Sequence, residues 1–164
     1  MVPPPALQVR NGLVLPPLMF TVMDGDIPAL KRMLEDPNVR SSLNSLKDSS
    51  GQTALHFAPN GTCVKMLCAA GANVFAQDSM GNTPLHAATE RHNSGAVREL
   101  LNFAESSAVD AANARCINVQ NIMGETALHV AVRKQNKPIC TLICTYKPDF
   151  TLFVMSTVLF LPSE

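Results

Sequence analysis

One phrase, written three times, constrains this chain more than any other feature. Asp48-Ser-Ser-Gly51-Gln-Thr53-Ala54-Leu55-His56-Phe57-Ala58 returns as Asp78-Ser-Met-Gly81-Asn-Thr83-Pro84-Leu85-His86-Ala87-Ala88. It returns again as Asn121-Ile-Met-Gly124-Glu-Thr126-Ala127-Leu128-His129-Val130-Ala131. In each copy a Gly stands three residues after an Asp or Asn, the pattern of a tight turn whose Gly supplies a positive φ. Thr then caps a helix, and Pro84 fits the first helical position, where an N–H has no intrahelical partner to lose. A second helical stretch comes after each phrase; after the first copy it is Val64, Met66, Leu67 and Ala70, closed by Gly71. Such a turn–helix–loop–helix unit cannot bury its own apolar stripe, so it must stack on neighbours.

The three phrases resemble the ankyrin repeat, a unit of about 33 residues with Thr-Pro-Leu-His-x-Ala at the head of its first helix. The resemblance covers roughly residues 14–152 and implies an all-α ankyrin-repeat solenoid of helix-turn-helix units joined by short β-turns or hairpins. Four repeats are expected, near 14–47, 48–77, 78–120 and 121–152, within a domain spanning 13–150. Pro17-Leu18-Met19-Phe20-Thr21 with Gly25-Asp26-Ile27 after it fits as a degenerate first copy, with Met19 in the place of His. Pro28 and Pro138 fall at matching first-turn positions of two second helices, which supports the alignment.

Spacing shows where the pattern bends. Gly51 and Gly81 are 30 apart, short of the repeat length, while Gly81 and Gly124 are 43 apart. The deletion falls at Ala58-Pro59-Asn60-Gly61: Pro59 is expected to stop the first helix after about a turn and Asn-Gly to make the bend. The result should be a stunted inner helix and a notch on the inner face. The insertion lies within 102–115, after Leu100-Leu101 as the expected end of the second helix; Glu105 onward reads as a loop or short extra helix. Residues 1–12 are Pro-rich and expected to be extended or disordered. Residues 151–164 form an apolar tail that either folds over the last helix pair or marks a shortened array; truncation is the favoured reading, and the tail is an aggregation risk.

Composition excludes several classes of work. Lys plus Arg and Asp plus Glu are 13 each, so the chain lacks the basic surplus that a charge-driven grip on nucleic acid requires. Five Cys, none in a C-x-x-C pair, argue against a closed disulfide framework and read as small buried hydrophobes of a reducing cytosol or nucleus. Neither apolar run, near Leu13–Met23 or Thr151–Pro162, approaches the ~18 residues of a membrane span. The N-terminus lacks the pattern of a signal peptide.

Chemistry is weighed against packing in the same way. His56, His86 and His129 recur at one position of successive repeats, ~10 Å apart for packed helix pairs, too far for shared zinc ligation. The resemblance gives them, with Thr53, Thr83 and Thr126, a structural role: hydrogen bonds within the repeat and to the neighbouring turn. Cys140 and Cys144 lie in the apolar stripe with Ile139, Leu142 and Ile143, without an activating cation. No phosphate-cradling Gly motif occurs. We expect no catalytic site, no cofactor and no metal.

The resemblance implies partner recognition instead, by turn tips and the exposed face of the first helices. The first tip is Lys47, Asp48, Ser49, Ser50 and Gln52; the second is Gln77, Asp78, Ser79, Met80 and Asn82; the third is Gln120, Asn121, Ile122, Met123 and Glu125. Helix-face candidates are Met23 and Asp24, Glu90 and Arg91, and Arg133 and Lys134; the deletion leaves the second repeat without assignable counterparts. Met80, Ile122 and Met123 are either an exposed sticky patch or lie beneath the inserted segment. The expected function is non-catalytic binding of another protein, by a monomer unless the tail associates. The alternative is a regulatory segment similar to the NF-κB inhibitors, or the ankyrin region of a larger enzyme or channel.

Overall fold

The computed structural model describes residues 8–10, 13–106, 117–146, 148–149 and 151. It is a row of stacked helical units entered through one small hairpin. Strands β1 (Gln8–Arg10) and β2 (Leu13–Leu15) pair antiparallel, with Val9 opposite Val14. The part of the Pro-rich start that is described is therefore extended and paired. Helices come in couples: α1 (Pro17–Asp24) with α2 (Ile27–Glu35) and the short α3 (Pro37–Ser42); a one-turn 3₁₀ helix (Ala54–Phe57) with α4 (Gly61–Ala69); α5 (Pro84–Glu90) with α6 (Ser94–Ser106); and α7 (Ala127–Arg133) with α8 (Lys137–Thr145). The solenoid expected from the repeated phrase is the fold observed.

One continuous core runs through the couples, from Leu18, Met19 and Leu30 through Val64, Leu67, Leu85 and Leu100 to Ile139 and Ile143, all essentially without solvent contact. Met19 occupies the buried interior of the first unit, so the degenerate copy keeps the packing and gives up the polar joint.

In the three full phrases that joint is the His. The backbone N–H of Thr53 donates to His56 Nδ1 at 3.1 Å, and Thr83 and Thr126 do the same for His86 and His129 at 3.2 and 3.1 Å. An accepting Nδ1 leaves the proton on Nε2. His56 Nε2 then donates to Asn82 O, and His86 Nε2 to Glu125 O, each at 3.0 Å in the turn of the next unit. Burial pushes both imidazoles below the ordinary value of 6.5, because a charged ring would have to be desolvated and would lose its acceptor nitrogen. The turns themselves are laddered: Ser79 N–H donates to Ser50 O at 2.8 Å and Ile122 N–H to Met80 O at 3.0 Å. Gly51 and Gly81, at φ +76° and +73°, hold the left-handed turn and also leave room for the next tip, whose backbone would lie 3.2 and 3.0 Å from an added Cβ.

The second helices share a signal outside the repeated phrase. Asp26, Asn60, Asn93 and Asn136 each stand just before one and accept a backbone N–H three residues on, at 2.9–3.1 Å. Each satisfies a donor that helix geometry leaves orphaned. This corrects the expectation at Asn60-Gly61. Asn60 is an extended N-cap at φ −156°, and Gly61 opens α4 rather than forming a left-handed bend. Glycine is required there by space: an added Cβ would sit 2.9 Å from both Gly95 O and Glu99 Cγ, where α4 and α6 close on each other.

Two further expectations change. Leu100 and Leu101 do not end the second helix of the third unit; α6 continues to Ser106 and absorbs the start of the insertion, whose residues 107–116 lie outside the described residues. The apolar tail beyond Thr151 lies outside them as well. Of the cysteines, Cys63 and Cys68 are buried and Cys140 half-buried, but Cys144 is exposed rather than part of the apolar stripe.

Candidate protein-binding face

Each tip is built around one side chain that folds the turn. Asp48 Oδ1 accepts the N–H groups of Ser50 and Gln52, Asp78 Oδ1 those of Met80 and Asn82, and Asn121 Oδ1 those of Met123 and Glu125, all at 2.7–3.0 Å. Neighbouring tips are also tied by side chains, Gln52 Nε2 to Asp78 Oδ2 at 3.2 Å and Asn121 Nδ2 to Asn82 Oδ1 at 3.0 Å. Burial alone would raise the Asp78 pKa, but the hydrogen bonds from Asn82 and Gln52 outweigh it and hold the carboxyl low. Five of the expected contact residues, Asp48, Gln52, Asp78, Asn82 and Asn121, are therefore engaged within the tips, whereas Ser49, Ser50 and Ser79 stand exposed.

The apolar tip residues are out in solvent. Met80, Ile122 and Met123 are 47%, 67% and 64% exposed. Met80 and Met123 also form one rim of a concave groove of about 260 Å³, between the tips and the inner helices α5 and α7. Gln52, Asp78, Asn82, Asn121, Glu90, Arg91, Glu125 and Arg133 share its lining, and Ala87 and Val130 give it an apolar part that the repeated phrase alone does not reveal. Ile122 is exposed but does not line the groove.

Across this groove the helix-face candidates pair with one another. Glu90 meets Lys134 Nζ at 2.5 Å and Arg133 Nη2 at 3.3 Å, and Arg133 Nε donates to Glu125 Oε1 at 3.0 Å. Burial would raise the Glu90 pKa, but the Lys134 hydrogen bond and the two cations hold it below the usual range, while the Glu125 hydrogen bond raises Arg133. The network straps α5 to α7. Exposed pairs of this kind contribute little stability singly, so its main effect is to orient the groove wall.

Arg91 behaves differently. Its Nη2 donates to His56 O, the carbonyl at the end of the one-turn helix, and Asn93 Nδ2 lies 3.4 Å from Ala58 O. Around this junction Met23, Phe57, Pro59, Arg91 and Asn93 line a notch of about 450 Å³. The notch lies where the second repeat lacks face residues of its own: Thr53 and Asn60 are seven apart, where Thr83 and Asn93, and Thr126 and Asn136, are ten apart. Among the described residues no group of three or more His, Cys, Asp or Glu could hold a metal ion, and no helix is long and apolar enough to cross a membrane.

With stacking, histidine joints and tip ladder established, comparison with known proteins gives the class. The family model described as Ankyrin repeats (3 copies) matches residues 59–153. The chain belongs to the ankyrin-repeat family. Over 119 residues it is 35% identical to the B-cell lymphoma 3 protein homolog of Mus musculus, covering 71% of this chain and 25% of that protein. It is 34% identical to the putative E3 ubiquitin-protein ligase XBAT31 of Arabidopsis thaliana over 75% of this chain and 27% of that protein. The chain thus spans about a quarter of the length of these curated relatives. The crystal structure of the ankyrin repeat domain of Bcl-3, described as a unique member of the IκB family, superposes with a TM-score of 0.70 at 29% identity, covering 82% of this chain and 57% of that one.

Proposed function

We propose that this chain is a non-catalytic protein-recognition module whose contact surface is the row of tips together with the concave groove behind them. The observation that carries the reading is the exposure of Met80 and Met123 on the groove rim, beside helix walls already braced by their own ion pairs. Adaptable apolar side chains at the edge of a rigid concavity suit a binding hot spot. A preorganised wall also lowers the ordering cost of association.

A second, narrower reading is that the partner is NF-κB and the module regulatory. It is favoured by the similarity to B-cell lymphoma 3 protein and by 32% identity over 56% of this chain to the NF-κB inhibitor epsilon of Homo sapiens. The work then lies in the cytosol or nucleus. The similarity to a putative ubiquitin ligase keeps the ankyrin region of a larger enzyme as its competitor.

Titration of purified NF-κB dimers against the wild-type chain and against Met80→Asp/Met123→Asp tests both readings. Saturable binding lost in the double variant, with helical circular dichroism and melting temperature nearly unchanged, is the expected result. Binding unaffected by the double variant removes the tip surface. Absence of binding to NF-κB, with the methionines still required to capture another protein, removes the narrower reading alone. A large fall in melting temperature would assign the methionines to the core.

A further inference from the structure

The notch beside the shortened helix is more than a gap in the stack. It opens onto the concave face next to the main groove, and Arg91 lines both depressions. Its other walls, Met23, Phe57 and Pro59, are apolar, while Asn93 contributes the remaining polar edge. The charges lining the groove are matched internally: Glu90 and Glu125 by Lys134 and Arg133, Asp78 by backbone and amide donors. Arg91 has no carboxylate partner among the described residues. One of its N–H groups goes to His56 O, and the fork carries five.

We propose that the notch is a specificity pocket for the carboxylate side chain of an extended partner segment, with a non-polar neighbour of that residue seated on Met23, Phe57 and Pro59. The proposal rests on the protein-recognition reading and names what one end of the recognised segment presents. Charge complementarity selects the anion: the lining has one cation and no acid. A carboxylate matches the fork of a single guanidinium in two parallel hydrogen bonds. A phosphate, at nearly twice the charge, calls for a second cation that the notch lining does not contain. The apolar walls fit the methylene stem of Glu and the side chain beside it. Continuity with the groove lets one extended segment run from the methionine rim to Arg91.

The probe is a phage-displayed random hexapeptide library selected on the full chain, with the selected peptides then made synthetically and titrated. Enrichment of an acidic residue next to a non-polar one is expected. Changing the peptide's Glu or Asp to its amide should weaken binding at least fivefold. Arg91→Gln should erase the difference between acid and amide. Because Arg91→Gln also disturbs the bond to His56 O, Met23→Glu provides the independent variant: it sets a carboxylate at the notch mouth, leaves that bond intact, and should erase the same preference. Selected peptides without acidic preference, a preference that survives in both variants, or tighter binding of the phosphoserine version would each overturn the pocket. Peptides lost with Met80→Asp/Met123→Asp but indifferent to Arg91 would overturn the notch and leave the recognition reading standing. Failure to select any peptide would count against both.

Discussion

The second and third units start from nearly the same words and end in different shapes. Thr53-Ala-Leu-His56 and Thr83-Pro-Leu-His86 make the same hydrogen bonds to the next unit, yet one continues into a single 3₁₀ turn and the other into a seven-residue α-helix. The joint between units is thus carried by four residues at the head of the inner helix. The remainder of that helix can be shortened without unstacking the array. The shortening leaves carbonyls facing open space, and the third unit answers with Arg91 and Asn93. A lesion in one repeat has become a surface feature shared by two.

The comparison can be broken first at the joint. His86→Ala removes a buried ring together with its bonds to Thr83 and Glu125, and should cost about 2–4 kcal/mol in chemical denaturation. His56→Ala should cost a similar amount if the joint is independent of helix length; a far smaller loss would show that the shortened unit relies on Arg91 instead. Next comes the helix contact: Gly61→Ala forces a Cβ to 2.9 Å from Gly95 O and should cost about 1–3 kcal/mol by overpacking, read as a lower denaturation midpoint.

Acid probes both joints together. His56 and His86 have folded pKa values lowered from 6.5, so below that value the unfolded chain binds more protons than the folded one. Their contribution is whole above pH 6.5 and is lost as pH falls from there through the folded values. The melting temperature should therefore drop on acidification from pH 7.5 to 5.5, and by less in His86→Ala.

The smallest effects lie in the connections between inner and outer helices. The first unit turns through Gly25 at φ +68°, whereas the third and fourth use His92 and Gln135 at φ +57° and +53°. Gln135→Gly relieves a left-handed strain that a side chain resists, and should raise stability by about 0.5 kcal/mol, partly offset by the freer unfolded chain.

Much of this architecture is legible in the chain because it is written locally. Turn glycines at positive φ, the stunted helix after Pro59 and the buried histidines all depend on residues within a few positions of one another, whereas the sequence leaves the exposure of Met80 and Met123 open between a free patch and cover by the insertion. The four Asx caps are equally local; Asn60 misleads because an Asn-Gly pair usually marks a turn. The sequence reading places the end of α6 too early: Ala104 continues the buried spacing of Val97, Leu100 and Leu101 and Phe103 packs against the same core, which carries the helix on to Ser106.

Sequence alone determined the recurring turn–helix phrase, the order of its copies and the uneven spacing between their glycines, since periodicity and turn chemistry are properties of neighbours along the chain. Tertiary structure alone decided which groups remain available to a partner. Glu90 neutralises cations 43 and 44 positions later, and Arg91 reaches a carbonyl 35 positions earlier. Stacking brings such groups together across repeats, and their pairing depends on distance in space, which the order of residues does not record.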